Sequence, residues 1–280
     1  MLIVILCIAA VFVVFNYVNK IAGIVLLAVV IAGLLYFKWA EFLMIRGNGI
    51  YNSGNREKGL ALMDKAYNTG KLKSAMVVYY SYCLIRENMN EKAYEVLDKY
   101  IEGGKGTKGD ICRAKHNKAI LLWKDGRLDE AFEVMKEVHG EMPATDTYGT
   151  LGLLYIEKAE KEPALEAETM EFLEEAYDYN ADDRTIADNM GTMYLKRGDL
   201  DKAEEVYKAL LANPQPSPTP YYRYACVLEK KGNYEDAEDM LNKALRCSFT
   251  GVTVIKREDV TEALERVEKA YGAVKEEEEE

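Results

Sequence analysis

The sequence predicts an all-α chain in two parts: an N-terminal pair of membrane helices, then an array of antiparallel helix pairs. Three observations carry this. Residues 1–39 hold 33 apolar residues, no acid, and only Lys20 and Lys38 as bases. A hexapeptide recurs along the rest of the chain at spacings of 34, 38, 72 and 34 residues, the gap of 72 holding one more, longer unit. Each copy sits between two stretches of helical periodicity, the mark of a repeat architecture.

Composition sets the outer bounds. The 280 residues carry 36 Lys plus Arg and 47 Asp plus Glu, a formal charge of −11. Residues 40–280 hold all 47 acids and 34 of the bases, a formal charge of −13. An acidic chain without a basic stripe argues against nucleic acid as a main partner. The split rules out a fully soluble protein, a disordered chain and a disulfide-rich miniprotein.

The N-terminal part reads as a tight transmembrane hairpin, residues 1–39, with spans at about 1–18 and 21–37. Both stretches reach the low end of the roughly 17–25 apolar residues a span needs. Asn16, Asn19 and Lys20 suit a membrane interface, Tyr17 marks one interface, and Tyr36 with Trp39 marks the other. A single long, tilted anchor is one alternative and a cleaved signal another. No Lys or Arg precedes residue 20, and an Ala-x-Ala cleavage site is missing, which weighs against the signal. Lys38, Arg46, Arg56 and Lys58 follow the second span while the hairpin loop offers Lys20 alone, so the expected topology is multi-pass in the cell membrane with the following domain cytoplasmic. Cys7, Cys83, Cys112, Cys226 and Cys247 are odd in number and contain no Cys-x-x-Cys pair, the usage of a reducing compartment.

The hexapeptide reads Gly126-Arg-Leu-Asp-Glu-Ala131, Gly198-Asp-Leu-Asp-Lys-Ala203 and Gly232-Asn-Tyr-Glu-Asp-Ala237, with weaker copies at Asn88-Met-Asn-Glu-Lys-Ala93 and Gly54-Asn-Arg-Glu-Lys-Gly59. Glycine ends a first helix in the left-handed conformation. The acids open the second helix, where the macrodipole favours negative charge. Alanine falls where the two helices approach most closely, and Ala66, Ala176 and Ala244 supply a second small position.

On these features, residues 40–251 resemble the tetratricopeptide repeat family. Leu151-Gly152 with Tyr155, and Met190-Gly191 with Tyr194, match the family's first-helix pattern, and Pro143 its closing proline. The resemblance implies a right-handed α-solenoid with a concave binding face. Six units follow: 40–73, 74–111, 112–144, 145–183, 184–217 and 218–251. The family's Trp is absent from the first helices, Gly59 and Thr169 replace the first alanine in two units, and Leu210 replaces the later one in unit five. Unit four carries extra residues near 161–165, and unit two ends in a glycine-rich turn at 103–109. Residues 252–275 are expected to cap the solenoid's open end, with an amphipathic helix over 257–275, and the glutamates at 276–280 to form a disordered acidic tail.

Catalytic constellations are absent from the sequence. His116 and His139 are its two histidines; Cys112 and His116 share a helix face, but two ligands do not make a zinc site. Gly104-Lys105 is followed by Gly106 where a P-loop needs Ser or Thr. The chain reads as a non-enzyme needing no cofactor, metal or small-molecule substrate. The proline-rich stretch 213–220 reads as an inter-repeat turn, with a polyproline ligand or a phosphorylation site as the sharper alternative.

Projecting the repeat frame onto the chain places Tyr79, Tyr82, Arg86, Arg113, His116, Asn117, Ile120, Trp123, Asp188, Asn189, Thr192, Tyr222 and Arg223 toward the groove. Aromatics and Arg are the usual interface anchors; packing between neighbouring repeats is their other use. The expected function is a membrane-anchored scaffold that binds a protein or peptide partner through the concave face. The alternative is a structural subunit of a membrane or envelope complex, recognised through its hairpin, with the solenoid as spacer.

Overall fold

The computed structural model describes residues 2–104 and 106–279. It consists of helices, with no strand among the described residues. The chain divides into a first compact unit ending at Tyr80 and a second beginning at Ser81.

The first unit opens with α1 (Leu2–Val13), which loosens into a π-helical turn (Val14–Val18). The Asn16 amide donates to the Phe12 carbonyl at 2.9 Å inside that turn. Asn19 then breaks the helix with an extended backbone, and its side chain accepts the N–H groups of Ile21 and Ala22, capping α2 (Lys20–Asn52). A Cβ on Gly23 would lie 2.6 Å from the Phe15 Cβ, so glycine lets the π turn fold against α2.

Here the spans expected at 1–18 and 21–37 are not seen as two crossing helices. Twelve residues of α1 reach about 18 Å, short of a bilayer core of about 30 Å. Among the described residues no single helix is long and apolar enough to cross a membrane. The segments Lys20–Gly33 and Lys38–Asn52, bent by 51°, pass that test only together.

The C-terminal part of α2 pairs with α3 (Arg56–Tyr67) around Met44, Tyr51, Met63 and Ala66. Their approach explains Gly59, where other copies carry alanine. A Cβ there would sit 2.6 Å from the Tyr51 backbone nitrogen, and one on Gly47 2.8 Å from the Gly59 carbonyl.

α4 (Ser74–Arg86) leads into the second unit, which continues with α5 (Asn90–Glu102), α6 (Lys108–Lys124), α7 (Leu128–Glu141), α8 (Thr145–Lys161), α9 (Glu166–Asn180), α10 (Arg184–Arg197), α11 (Leu200–Leu210), α12 (Thr219–Lys230), α13 (Tyr234–Arg246) and α14 (Arg257–Glu279). Every hexapeptide copy starts with a positive φ: 99° at Gly54, 58° at Asn88, 76° at Gly126, 79° at Gly198 and 80° at Gly232. Asn88 is the one described residue other than glycine to adopt it, which asparagine tolerates best. The closing Ala93, Ala131, Ala203 and Ala237 are fully buried. Thr169 is also fully buried, its hydroxyl donating to the Tyr155 carbonyl at 3.4 Å.

Unit four lacks the glycine stop. α8 therefore runs on to Lys161, and a 3-10 turn (Pro163–Leu165) starts the next helix instead. Thr107 and Asp110 cap α6 reciprocally; Lys105, in the glycine-rich turn before them, lies outside the described residues. α14 lays Val260, Ala263 and Val267 on the last helix pair. It continues through Glu279, so the glutamates 276–279 are helical; Glu280 lies outside the described residues.

Candidate partner-binding groove

In the second unit, first helices of neighbouring pairs are tied by polar bonds between residues 34 to 40 apart. The His116 ring Nε2 meets the Thr150 hydroxyl at 2.8 Å, and Asn117 Nδ2 donates to Ser81 Oγ at 3.0 Å. Trp123 Nε1 donates to Glu157 Oε2 at 2.7 Å, and Arg223 Nη1 to Asp188 Oδ2, also at 2.7 Å. Asn189 Nδ2 donates to the Gly149 carbonyl, 40 positions back, at 2.8 Å. The repeat period of the sequence thus reappears as a ladder of hydrogen bonds.

Burial gives the ladder its electrostatics. The Asp188 and Arg223 side chains are each 11% exposed. Burial pushes the Asp188 carboxyl up, and the Arg223 charge works against that rise. Burial likewise pushes the Glu157 carboxyl up, opposed by the Trp123 N–H. The Tyr207 hydroxyl, 3.3 Å from Asp188 Oδ1, is driven well above its ordinary range by burial and by that carboxylate.

Beside the ladder lies a cavity of about 330 Å³. Tyr82 of α4, Ile120 and Trp123 of α6, and Leu153 of α8 give it an apolar wall. Thr150, Arg184, Thr185 and Asp188 add polar groups. Gln215 and Pro216 close one side, and Val252 to Val254 another. Gln215 is 8% exposed; its amide donates to the Leu210 and Asn213 carbonyls, both at 2.8 Å, while its Oε1 is buried with no donor among the described residues. The proline-rich stretch is a packed turn: Tyr221 accepts the Gln215 N–H, and Cys247 donates to the Gln215 carbonyl.

The projected residues fall into distinct places. Tyr82, Ile120, Trp123 and Asp188 meet at the cavity. His116, Asn117, Asn189 and Arg223 are ladder members: His116 faces the next repeat, and the other three face the preceding one. Thr192 is buried, donating to the Asp188 carbonyl at 2.6 Å. Tyr222 is half-buried against the last helix pairs, and burial pushes its hydroxyl up to about 12. Arg113 is exposed beside Asp110, and Arg86 is half-buried at the end of α4. Tyr79 belongs to the first unit, where its hydroxyl donates to Asn48 at 2.6 Å. The 34-residue frame found α4, α6 and α10; it missed Leu153, Gln215 and the 252–254 segment, because the last two lie outside first helices.

Besides Thr150, the His116 ring meets Asp146, with Nδ1 3.7 Å from Oδ2. His139 Nδ1 lies 3.0 Å from Thr147 Oγ1 between Tyr148 and Phe172, and burial lowers its pKa. Cys112 donates to Glu141 at 3.3 Å, and burial pushes its thiol up, away from the nucleophilic thiolate. Among the described residues no group of three or more His, Cys, Asp and Glu is arranged to hold a metal ion.

Residues 173–248 match a family model described as tetratricopeptide repeat. Comparison with curated proteins gives no match. A tetratricopeptide repeat protein of Thermus thermophilus, TTC0263, superposes with a TM-score of 0.56 at 18% identity, over 71% of this chain and 99% of that one. PilF of Pseudomonas aeruginosa superposes with a TM-score of 0.53 at 15% identity, over 74% of this chain and 90% of that one. At these identities the likeness shows the fold alone. Together the matches support a tetratricopeptide repeat protein with an α-solenoid fold, a fold that suggests a protein–protein interaction scaffold, and none indicates an enzyme family.

Proposed function

From this repeat fold we propose a scaffold that binds a protein or peptide segment at the concave cavity and is held at the cytoplasmic side of a membrane by its N-terminal helices. The observation that carries the binding site is the cavity itself. It joins an apolar wall of Tyr82, Ile120, Trp123 and Leu153 to a buried acceptor, Gln215 Oε1, that lacks a donor among the described residues. Apolar walls with a few placed polar groups are what ligand sites generally offer.

Surface chemistry supports the membrane half. Large apolar side chains stand exposed along α1 and α2, including Leu6, Phe12, Ile21, Ile24, Val29 and Ile31. An exposed apolar patch of that kind marks a membrane or protein interaction site. Tyr36 and Trp39 follow, 64% and 51% exposed, as an interfacial belt would require. The same patch favours the second reading, a subunit recognised through α1 and α2.

Photocrosslinking of the full chain in cells separates the two. A probe at Tyr82 and another at Trp123 should capture the same partner, and Asn117→Glu, which breaks the bond to Ser81, should abolish capture. Capture from probes at Ile24 and Val29 with nothing from the cavity would leave the second reading in place.

A further inference from the structure

One segment of this chain forms a wall of the cavity. Residues 247–256 join α13 to α14, and they turn inward to reach the end of α4. The Gly251 N–H donates to the Arg86 carbonyl at 2.7 Å. The segment folds into a tight turn over 250–253. Thr253 N–H donates to the Thr250 carbonyl at 2.9 Å, and Thr250 N–H to Thr253 Oγ1 at 2.8 Å. Beyond the tip, Val252, Thr253 and Val254 line the cavity with Tyr82 and Trp123.

The seat for this turn is shaped to glycine. A Cβ on Gly251 would collide with the Ile85 carbonyl oxygen and lie 2.7 Å from Asn88 Oδ1 and 2.8 Å from Lys124 Nζ. Its φ is outside the left-handed region, so close approach, and not backbone conformation, demands glycine. Lys124 fixes the seat: it donates to Asn88 Oδ1 at 2.8 Å and to the Ile85 carbonyl at 3.3 Å.

We propose that the 250–253 turn is a displaceable wall that gates the cavity, and that the partner's segment takes its seat and shares its chemistry: a turn with glycine at the tip and β-branched residues beside it. This rests on the binding site proposed above. Both ends of the turn are tethered by helices, which holds its local concentration in the millimolar range or higher. A free segment therefore meets a cavity whose mouth the turn narrows, and its apparent affinity is scaled by the fraction of chains in which the turn has opened.

The test uses the full chain in detergent micelles and a fluorescein-labelled peptide carrying residues 247–256. Binding is read by anisotropy for wild type, G251V and V254D. The first variant forces the tip off α4 by bulk. The second charges the apolar side of the turn without crowding α4, which keeps the test valid if G251V fails to fold. Hydrogen exchange of residues 248–255 verifies that the turn has left its seat. The expected result is binding at least about tenfold tighter to the variants than to wild type, lost again when Trp123→Ala is added. Equal binding to wild type and variants would overturn the gate and leave the binding site standing. No binding to a variant whose turn has opened would overturn the shared chemistry, and the crosslinking from Tyr82 and Trp123 then decides the binding site separately.

Discussion

Replacing Arg223 by methionine strands Asp188. In the native chain the two side chains meet at 2.7 Å, each 11% exposed, and they join α10 to α12. Without the guanidinium the carboxylate keeps one long bond, from Tyr207 at 3.3 Å. Breaking a buried pair on one side costs about 3–5 kcal/mol, a large share of a typical stability of about 5–15 kcal/mol. The loss should depend on pH. Burial already holds the Asp188 pKa above its unfolded value of about 3.9 in the native chain, and losing the Arg223 charge raises it further. The folded chain binds more protons than the unfolded one between those two values, so stability falls as pH rises through that window. The deficit of R223M should be smallest near pH 4 and complete once pH exceeds the folded pKa. Native-state hydrogen exchange of α10 and α12 amides is the fitting assay, because repeat arrays open piecewise. A double variant, D188L/R223M, should recover most of the loss, since apolar replacement of a buried pair is commonly neutral. A deficit under about 1 kcal/mol, or one equal at pH 4.5 and pH 8, would refute the claim that this pair is desolvated.

Two further outcomes test the packing. Gly59→Ala should destabilise the α2–α3 pair by about 1–3 kcal/mol, because its Cβ would press on the Tyr51 backbone; exchange rates of α3 amides read this directly, and an unchanged rate would contradict the close approach. Asn88→Gly keeps the left-handed φ of 58° and loses only the bond to Lys124, whereas Asn88→Ala loses that bond and adds backbone strain. The alanine variant should therefore melt lower than the glycine variant, in thermal unfolding followed by circular dichroism; the reverse order would show that the left-handed φ is irrelevant to the turn.

Much of the repeat was legible because its signals are local. A left-handed residue needs glycine or asparagine, and a close helix contact needs alanine; both survive in a linear string. Gly59 reads as a weak copy of the motif, yet in the structure it is a tighter version of the same contact. The ladder was half legible. The frame placed Asn117, Asp188, Asn189 and Arg223 on the right helices, but period alone does not tell a groove wall from a repeat interface. The 247–256 segment gave no signal, since its place is set by a contact with residues of the second unit's first helix. The expected spans are not shown, for another reason. Apolar count sees only composition, while the structure loosens α1 into a π turn at Val14 and starts a new helix after the break at Asn19.

The bond between Gly251 and Arg86 also bears on how the chain assembles. A stacked array is quasi-one-dimensional, so each pair senses only its neighbours and can form or fray on its own. This bond joins residues on the order of 165 positions apart, and closing such a loop in an open chain would cost about 4–5 kcal/mol of entropy. Stacking removes most of that cost beforehand, so the bond forms last and reports that every intervening pair is in place. Unfolding should run in the opposite sense: the latch opens first, and only then do the pairs peel away one at a time. A chain with an open latch is thus a chain whose repeats have become independent again.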